Sequence, residues 1–241
     1  MHYAIIAAGE GSRLQAEGVK SPKPLVQLNG ETMIDRLVDI FIKNKAQSIS
    51  IIVNREMRQV QEHIAGWNLP VPLHLIVEST PSSMHSFYQL SKKIEGYPLC
   101  LTTVDTIFKP DEFSSFIDYA EKQTGYDGVM GVTSHIDDEK PLYIETEKEG
   151  EILSFRDQNN GNCHHISGGI YCLGKKAVEV LDHCIEKGIE RMRNYQRELI
   201  EAGCKLKAYE FKKILDIDHA ADIKKAEQFL STSSTNQNRT K

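Results

Sequence analysis

Arg13 and Lys23 follow closely on a run of small residues, Ala7-Ala8-Gly9-Glu10-Gly11-Ser12, and together the set could hold a polyphosphate. Gly9 and Gly11 carry no Cβ, so the backbone there can take positive φ and bring its amides against phosphate oxygens. Amide donors alone cannot neutralise a triphosphate, and a guanidinium fork with a lysine point charge beside them supplies the missing charge. Pro22 and Pro24 are expected to hold Lys23 in an extended segment. The run lacks the third glycine of a dinucleotide loop and the Gly-Lys-Ser/Thr ending of a P-loop, which excludes both of those readings.

Carboxylates form the second set. Asp105 ends the apolar run Leu101-Thr102-Thr103-Val104, and an ionised carboxylate there is solvated if the strand end opens into a cleft. That placement suits Mg2+, which takes one or two carboxylates and keeps its other positions for water and phosphate oxygens. Asp218 and Asp216 are both candidates for the second ligand, with Asp218 slightly ahead, because two positions apart on an extended segment they can face one way. Asp222 falls in the first turn of a helix and suits a dipole-stabilising role better than a ligand role. Cys163-His164-His165 lacks the further ligands at suitable spacing that a transition metal needs.

Strands and helices must alternate to bring these residues together. A short apolar strand over 3–7 precedes the glycines, strands follow at 48–53, 73–77 and 99–104, and helical periodicity lies between them over 32–42, 55–67 and 82–94. Such alternation predicts an α/β fold whose ligands sit at the carboxyl ends of parallel strands. From residue 126 the pattern changes to a strand at 129–133 and a hairpin of 142–146 with 152–156. A strand over 165–173 follows with Gly168-Gly169 inside it, as at a bulge. Helices over 175–186 and 189–202, a strand over 205–211 and a helix over 220–230 complete the chain.

The 241 residues suit one large domain, expected to span 1–230, with a polar, disordered tail over 231–241. A net charge of −5 without a long basic run gives no footprint for nucleic acid, so anionic ligands must be held by local groups. The start lacks a signal-peptide pattern and no apolar stretch approaches membrane-spanning length, so a cytoplasmic protein without membrane contact is expected. The five cysteines are scattered without Cys-x-x-Cys pairing and are expected as reduced thiols.

The glycine run answered by Ser21-Pro22-Lys23-Pro24-Leu25 closely resembles the signature of the NDP-sugar pyrophosphorylase family of nucleotidyltransferases. The resemblance implies a three-layer α/β/α, Rossmann-like nucleotide-binding fold with a mixed, mostly parallel sheet, one strand running against the others, and a small hairpin subdomain. It implies transfer of a nucleoside monophosphate from an NTP to a sugar phosphate or related phosphorylated small molecule, with release of pyrophosphate. Arg13 and Lys23 would be the catalytic cations, and Ala7, Ala8, Gly9, Gly11 and Ser12 would bind nucleotide. Asp105 matches the family's metal aspartate, and the segment from Asp216 to Asp222 resembles the one that brings the second. Ser82 and Ser83 fall in the base-contacting segment Ser79–Ser86, which lacks the common Gly-Thr-Ala pattern and leaves the base open.

The larger departure is Ser154-Phe155-Arg156-Asp157-Gln158, where sugar-phosphate members usually carry Glu-Lys-Pro. Arg156 is expected to take over the acceptor's anionic group, its planar fork replacing the missing lysine, with Gly169 beside it. A surface pair of Arg156 with Glu145 or Asp157 is the competing expectation, and Arg193 or Arg197 would then hold the anion. A sensing protein without turnover and a glycosyltransferase of similar fold are the alternatives in function. The Asp-x-Asp of the latter is absent at Asp105-Thr106-Ile107. A homo-oligomer stays open.

Overall fold

In a computed structural model of the protein, residues 1–137 and 139–232 are described. Strands β1 (His2–Ala7), β2 (Gln27–Leu28), β3 (Glu31–Thr32), β4 (Ser48–Val53), β5 (Leu73–Val77), β6 (Leu99–Thr103) and β7 (Thr106–Ile107) come from the first half. The second half adds β8 (Gly128–Thr133), β9 (Tyr143–Thr146), β10 (Ile152–Arg156), β11 (Cys163–Leu173), β12 (Leu206–Phe211) and β13 (Leu215–Asp216). The helices are α1 (Ser12–Ala16), α2 (Met33–Lys43), α3 (Arg58–Ala65), α4 (Ser83–Ser91), α5 (Pro110–Ala120), α6 (Lys175–Glu186), α7 (Met192–Glu201) and α8 (Ala220–Ser231).

β1 lies between β4 and β6, parallel to both, and β5 extends the sheet beyond β4. β11 is the strand that runs against its neighbours β6 and β8, while β12 pairs parallel with β8. The expected mixed, mostly parallel sheet is present, but two strands rather than one run against the rest: β11, and β10 through its antiparallel pairing with β9. Its two faces carry separate apolar clusters because neighbouring β1 side chains alternate sides. Tyr3 and Ile5 pack with Leu37 and Phe41 of α2, and Ala4 and Ile6 pack with Phe87 of α4 and Tyr195 of α7.

One consequence of this register opens a cleft. β6 borders β11 at Ile170–Leu173 and β9 borders it at Cys163–Ile166, on the same side, so Ser167, Gly168 and Gly169 lie between the two neighbours. The expected bulge is there, with a register shift between Ser167 and Ile170. Gly169 has φ of 72°, and a Cβ on it would stand 2.9 Å from the Thr106 hydroxyl.

Two local expectations are corrected, and one helix is added to those expected. Lys23 is not extended: Pro22 is, with ψ 143°, but Lys23–Leu25 forms a 3₁₀ turn closed by Leu25 N–H on the Pro22 carbonyl at 2.8 Å. Proline's fixed φ suits a 3₁₀ start, and its missing N–H costs nothing there. Helix α5 went unread in the sequence although Pro110 opens it, Asp111 and Glu112 lie in its first turn, and Phe113, Phe116 and Ile117 share a face. The last helix includes Ser231, so the expected tail loses its first residues to structure, and 233–241 lie outside the described residues. All five cysteines are free and buried, and among the described residues no helix is long and apolar enough to cross a membrane.

Candidate active site

The carboxyl ends of β1, β4 and β6 open into a cleft of about 950 Å3. Ala8, Gly9, Gly11, Ser12 and Arg13 line it from the first loop, Ser82 and Ser83 from the start of α4, and Asp105, Gly169, Asp216 and Asp218 from the opposite wall. Ala7 is buried at the end of β1 and supports the loop from behind. Gly11 takes φ 64° as the residue capping α1, and a Cβ there would come within 2.9 Å of the Lys23 Cβ. Gly9 has no positive φ, and a Cβ on it would meet nothing within 4 Å, so Gly11 alone makes the turn.

Asp105 and the 216–218 segment meet because β7 pairs with β13, placing Thr106 opposite Asp216 and Ile107 opposite Leu215. The Ile217 N–H donates to the Asp105 carbonyl at 3.2 Å. Behind them the buried Arg36 of α2 donates to the Phe108 carbonyl, fixing the chain just past Asp105. Asp222 lies in the first turn of α8, as expected of a dipole-stabilising carboxylate, and also caps the helix by accepting the backbone N–H of His219 at 2.8 Å and that of Asp218 at 3.2 Å.

Lys23, only 9% exposed, is the meeting point of the charges. Its ammonium pairs closely with Asp105 and lies 2.9 Å from Asp218 Oδ1, while Arg13 Nη1 reaches Asp218 Oδ2 at 2.9 Å. Burial alone would push the Asp105 carboxyl up, but the Lys23 charge and hydrogen bond, with the Thr103 hydroxyl, hold it below the ordinary range. In the same way burial pushes Lys23 down, and Asp105 and Asp218 outweigh it and raise its pKa. Glu17 strengthens the connection by pairing with His219 Nδ1 at 2.6 Å and accepting the Ala220 N–H at 2.7 Å.

Asp105 and Asp218 converge on one cationic point with oxygen donors only, which is the donor chemistry magnesium takes. Among the described residues no group of three or more His, Cys, Asp or Glu side chains forms a metal cage, so an ion here would need ligands from water or phosphate.

Arg156 is placed elsewhere. Its Nε and Nη2 both donate to Glu145 Oε2, at 2.9 and 2.7 Å, within the β9–β10 hairpin, and it does not line the cleft. The competing expectation of a hairpin pair describes it. The cleft wall is instead completed by Arg191, Arg193 and Gln196, from α7 and its approach.

Gln196 and Asn54 were not singled out in the sequence. Asn54 follows β4 at a strand end, the position where a ligand group is expected in such sheets, and its Nδ2 donates to the Ala8 carbonyl at 3.3 Å. Its Oδ1 accepts the Ser79 hydroxyl at 2.8 Å, joining the glycine loop to the segment before α4. Gln196 is a buried amide on a mostly apolar helix face, and its Oε1 accepts from Ser167 at 2.8 Å.

Comparison with known proteins agrees with this architecture. The protein is 26% identical over 211 residues to the bifunctional protein GlmU of Methanococcus vannielii, covering 84% of this chain and 48% of that one. It is 19% identical over 242 residues to the GlmU of Clostridioides difficile, covering 94% and 50%. The chain thus spans about half the length of the curated relatives it matches. The solved inositol-1-phosphate CTP transferase from T. maritima superposes with a TM-score of 0.81 at 17% identity, covering 98% of this chain and 96% of that one. A putative glucose-1-phosphate thymidylyltransferase from Bacillus anthracis gives 0.81 at 16%, covering 95% and 94%, and these likenesses speak for the fold. Residues 3–197, which include the loop, both cations, Asp105 and the bulged strand, match one family along their whole length, and the chain belongs to the family of MobA-like NTP transferase domains.

Proposed function

We propose that the protein transfers a nucleoside monophosphate from an NTP to a phosphorylated small molecule, a sugar or polyol phosphate, with release of pyrophosphate and dependence on magnesium. The observation that carries this reading is the convergence of Arg13, Lys23, Asp105 and Asp218 beside the glycine loop in one cleft. The loop amides of Gly9, Gly11 and Ser12, with Arg13, would hold the β- and γ-phosphates. Lys23 would stand at the α-phosphate. An oxygen of the acceptor phosphate attacks the α-phosphorus, the bond to the bridging oxygen of the β-phosphate breaks, and pyrophosphate leaves.

Such a displacement asks for in-line positioning and charge neutralisation more than for an acid or base, and the site offers charges rather than a proton relay. Asp105, with Asp218 or Asp216, would hold magnesium, which would neutralise phosphate charge. Ala8, Ser82 and Ser83, which line the cleft with Asn54 and Thr80, would face the nucleoside end. The acceptor would extend into an adjoining pocket of about 460 Å3 lined by His135, Asp137, Glu139, His219 and Lys225, walls that suit hydroxyl groups.

The test is incubation with each of the four NTPs, magnesium and a panel of glucose 1-phosphate, inositol 1-phosphate and phosphocholine, reading pyrophosphate release. Release that requires both an NTP and an acceptor is expected. A protein that binds NTP tightly and turns over no pair would favour the sensing role.

A further inference from the structure

The cleft needs a group for the acceptor's own anion, and Arg156 is committed to Glu145 on the hairpin. An alternative that lines the cleft lies on α7. Arg193 Nη1 donates to Asp157 Oδ1 at 2.8 Å and its Nη2 to the Lys140 carbonyl at 2.8 Å. Arg197 Nη2 reaches the same Asp157 oxygen at 2.7 Å, and its other nitrogens donate to the Phe155 carbonyl and to Asn194. One carboxylate therefore serves two guanidiniums, and the three side chains carry one net positive charge.

That surplus is placed where an anion could use it. Arg193 lines both the main cleft and the smaller pocket, so it stands at their junction, whereas Arg197 lines neither. Two of its five N–H donors are used in the bonds above, leaving three for a ligand. A guanidinium held at both ends loses little further freedom on gripping an anion, and its fork matches phosphate geometry.

Resting on the transferase reading, the geometry points to Arg193 as the residue that grips the acceptor's phosphate, with Asp157 as the positioning residue that holds it. The acceptor anchor thus moves from the hairpin, where this chain has Ser154-Phe155-Arg156, to helix α7. The Arg197 hydrogen bond, with that of Arg193, outweighs the opposing effect of burial and keeps the Asp157 carboxyl below its ordinary range, so the clamp stays charged near neutral pH.

The test is steady-state kinetics of the full chain with the NTP and acceptor pair that wild type turns over fastest in the panel above. Arg193→Ala is expected to raise the acceptor KM by about 10- to 100-fold, the span of a lost charge-assisted hydrogen bond, with the NTP KM held within about twofold. Added guanidinium ion should bring the acceptor KM of this variant back down. Arg193→Lys, which keeps the charge and the fold, should give a rise of about fivefold, between wild type and alanine. Asp157→Asn should raise the acceptor KM by about 3- to 10-fold with kcat nearly unchanged, and Asp157→Glu should recover most of the loss.

An unchanged acceptor KM in Arg193→Lys and Arg193→Ala would overturn the assignment, as would an equal rise in both KM values, which would place Arg193 on the nucleotide. Wild type that turns over no pair would overturn the transferase reading itself, and this inference with it.

Discussion

Lys23 and Asp218 stand 195 positions apart in the chain, and the ammonium of one lies 2.9 Å from a carboxylate oxygen of the other. The same carboxylate holds Arg13 through its second oxygen. Both cations of the glycine loop are thus engaged by acid groups of the cleft, and a triphosphate must compete with those acids for them.

Asp218→Asn is therefore expected to bind NTP more tightly than wild type in the absence of magnesium, by about twofold to fivefold, since Asp218 is half exposed and its pairing is worth little. With magnesium present the order should reverse, because a ligand has been lost. Calorimetric titration with and without the ion reads both. Asp216→Asn should move the magnesium titration less than Asp218→Asn does, since Asp216 lies opposite Thr106 in the small ladder and Asp218 shares Lys23 with Asp105.

Gly11→Ala puts a side chain at φ 64°, close to the Lys23 Cβ. A loss of about 1–2 kcal/mol in urea unfolding, with the m-value unchanged, is expected from the left-handed backbone alone. Gly9→Ala is the matched control. With open space around its Cβ and no positive φ, it should leave stability within about 0.5 kcal/mol while raising the NTP KM. Equal destabilisation by the two variants would contradict the division of labour between the glycines.

Much of the fold was legible because parallel strands leave a local signature. The runs at 48–53 and 73–77 have the bounds found for the parallel strands β4 and β5, and the alternating run at 152–156 has those of β10, whose partner β9 is antiparallel to it. The helix over 32–42 was legible from its apolar period, and Thr32 caps it, its hydroxyl accepting the Asp35 N–H. The glycine loop, Lys23 and Asp105 announced themselves through residue type and spacing. Arg156 did not, because whether an arginine turns to a ligand or to Glu145 is decided by strand pairing, which aligned Phe155 with Ile144 and left Glu145 within reach. The clamp of Asp157 on Arg193 and Arg197 depends on α7 packing against β10, a contact that no local pattern encodes.

Alkaline pH tests the burial of a thiol away from the site. Burial, with Glu198 nearby, pushes Cys184 from 9.0 up to about 11. A group raised in the folded state gives stability that is complete below its unfolded value and lost as pH climbs through the folded one. Wild type should therefore lose Tm steadily between pH 9 and 11. Cys184→Ala should begin from a lower Tm, because a core atom is gone, and fall less steeply over that window. Parallel slopes for the two proteins would show that the thiol ionises in the fold as readily as in the unfolded chain.

The central claim is tested most directly by following the α-phosphate. NTP labelled on the α-phosphorus is incubated with magnesium and the acceptor of the panel that supports fastest turnover, using wild type and Lys23→Ala. Wild type should place the label on the acceptor and release one pyrophosphate per labelled product. Lys23→Ala should do so about 100- to 1000-fold more slowly in kcat, because a charge at the reacting phosphate counts most in the transition state, with a smaller change in NTP affinity. Label remaining in nucleoside monophosphate or diphosphate, or Lys23→Ala matching the wild-type rate, would contradict the account.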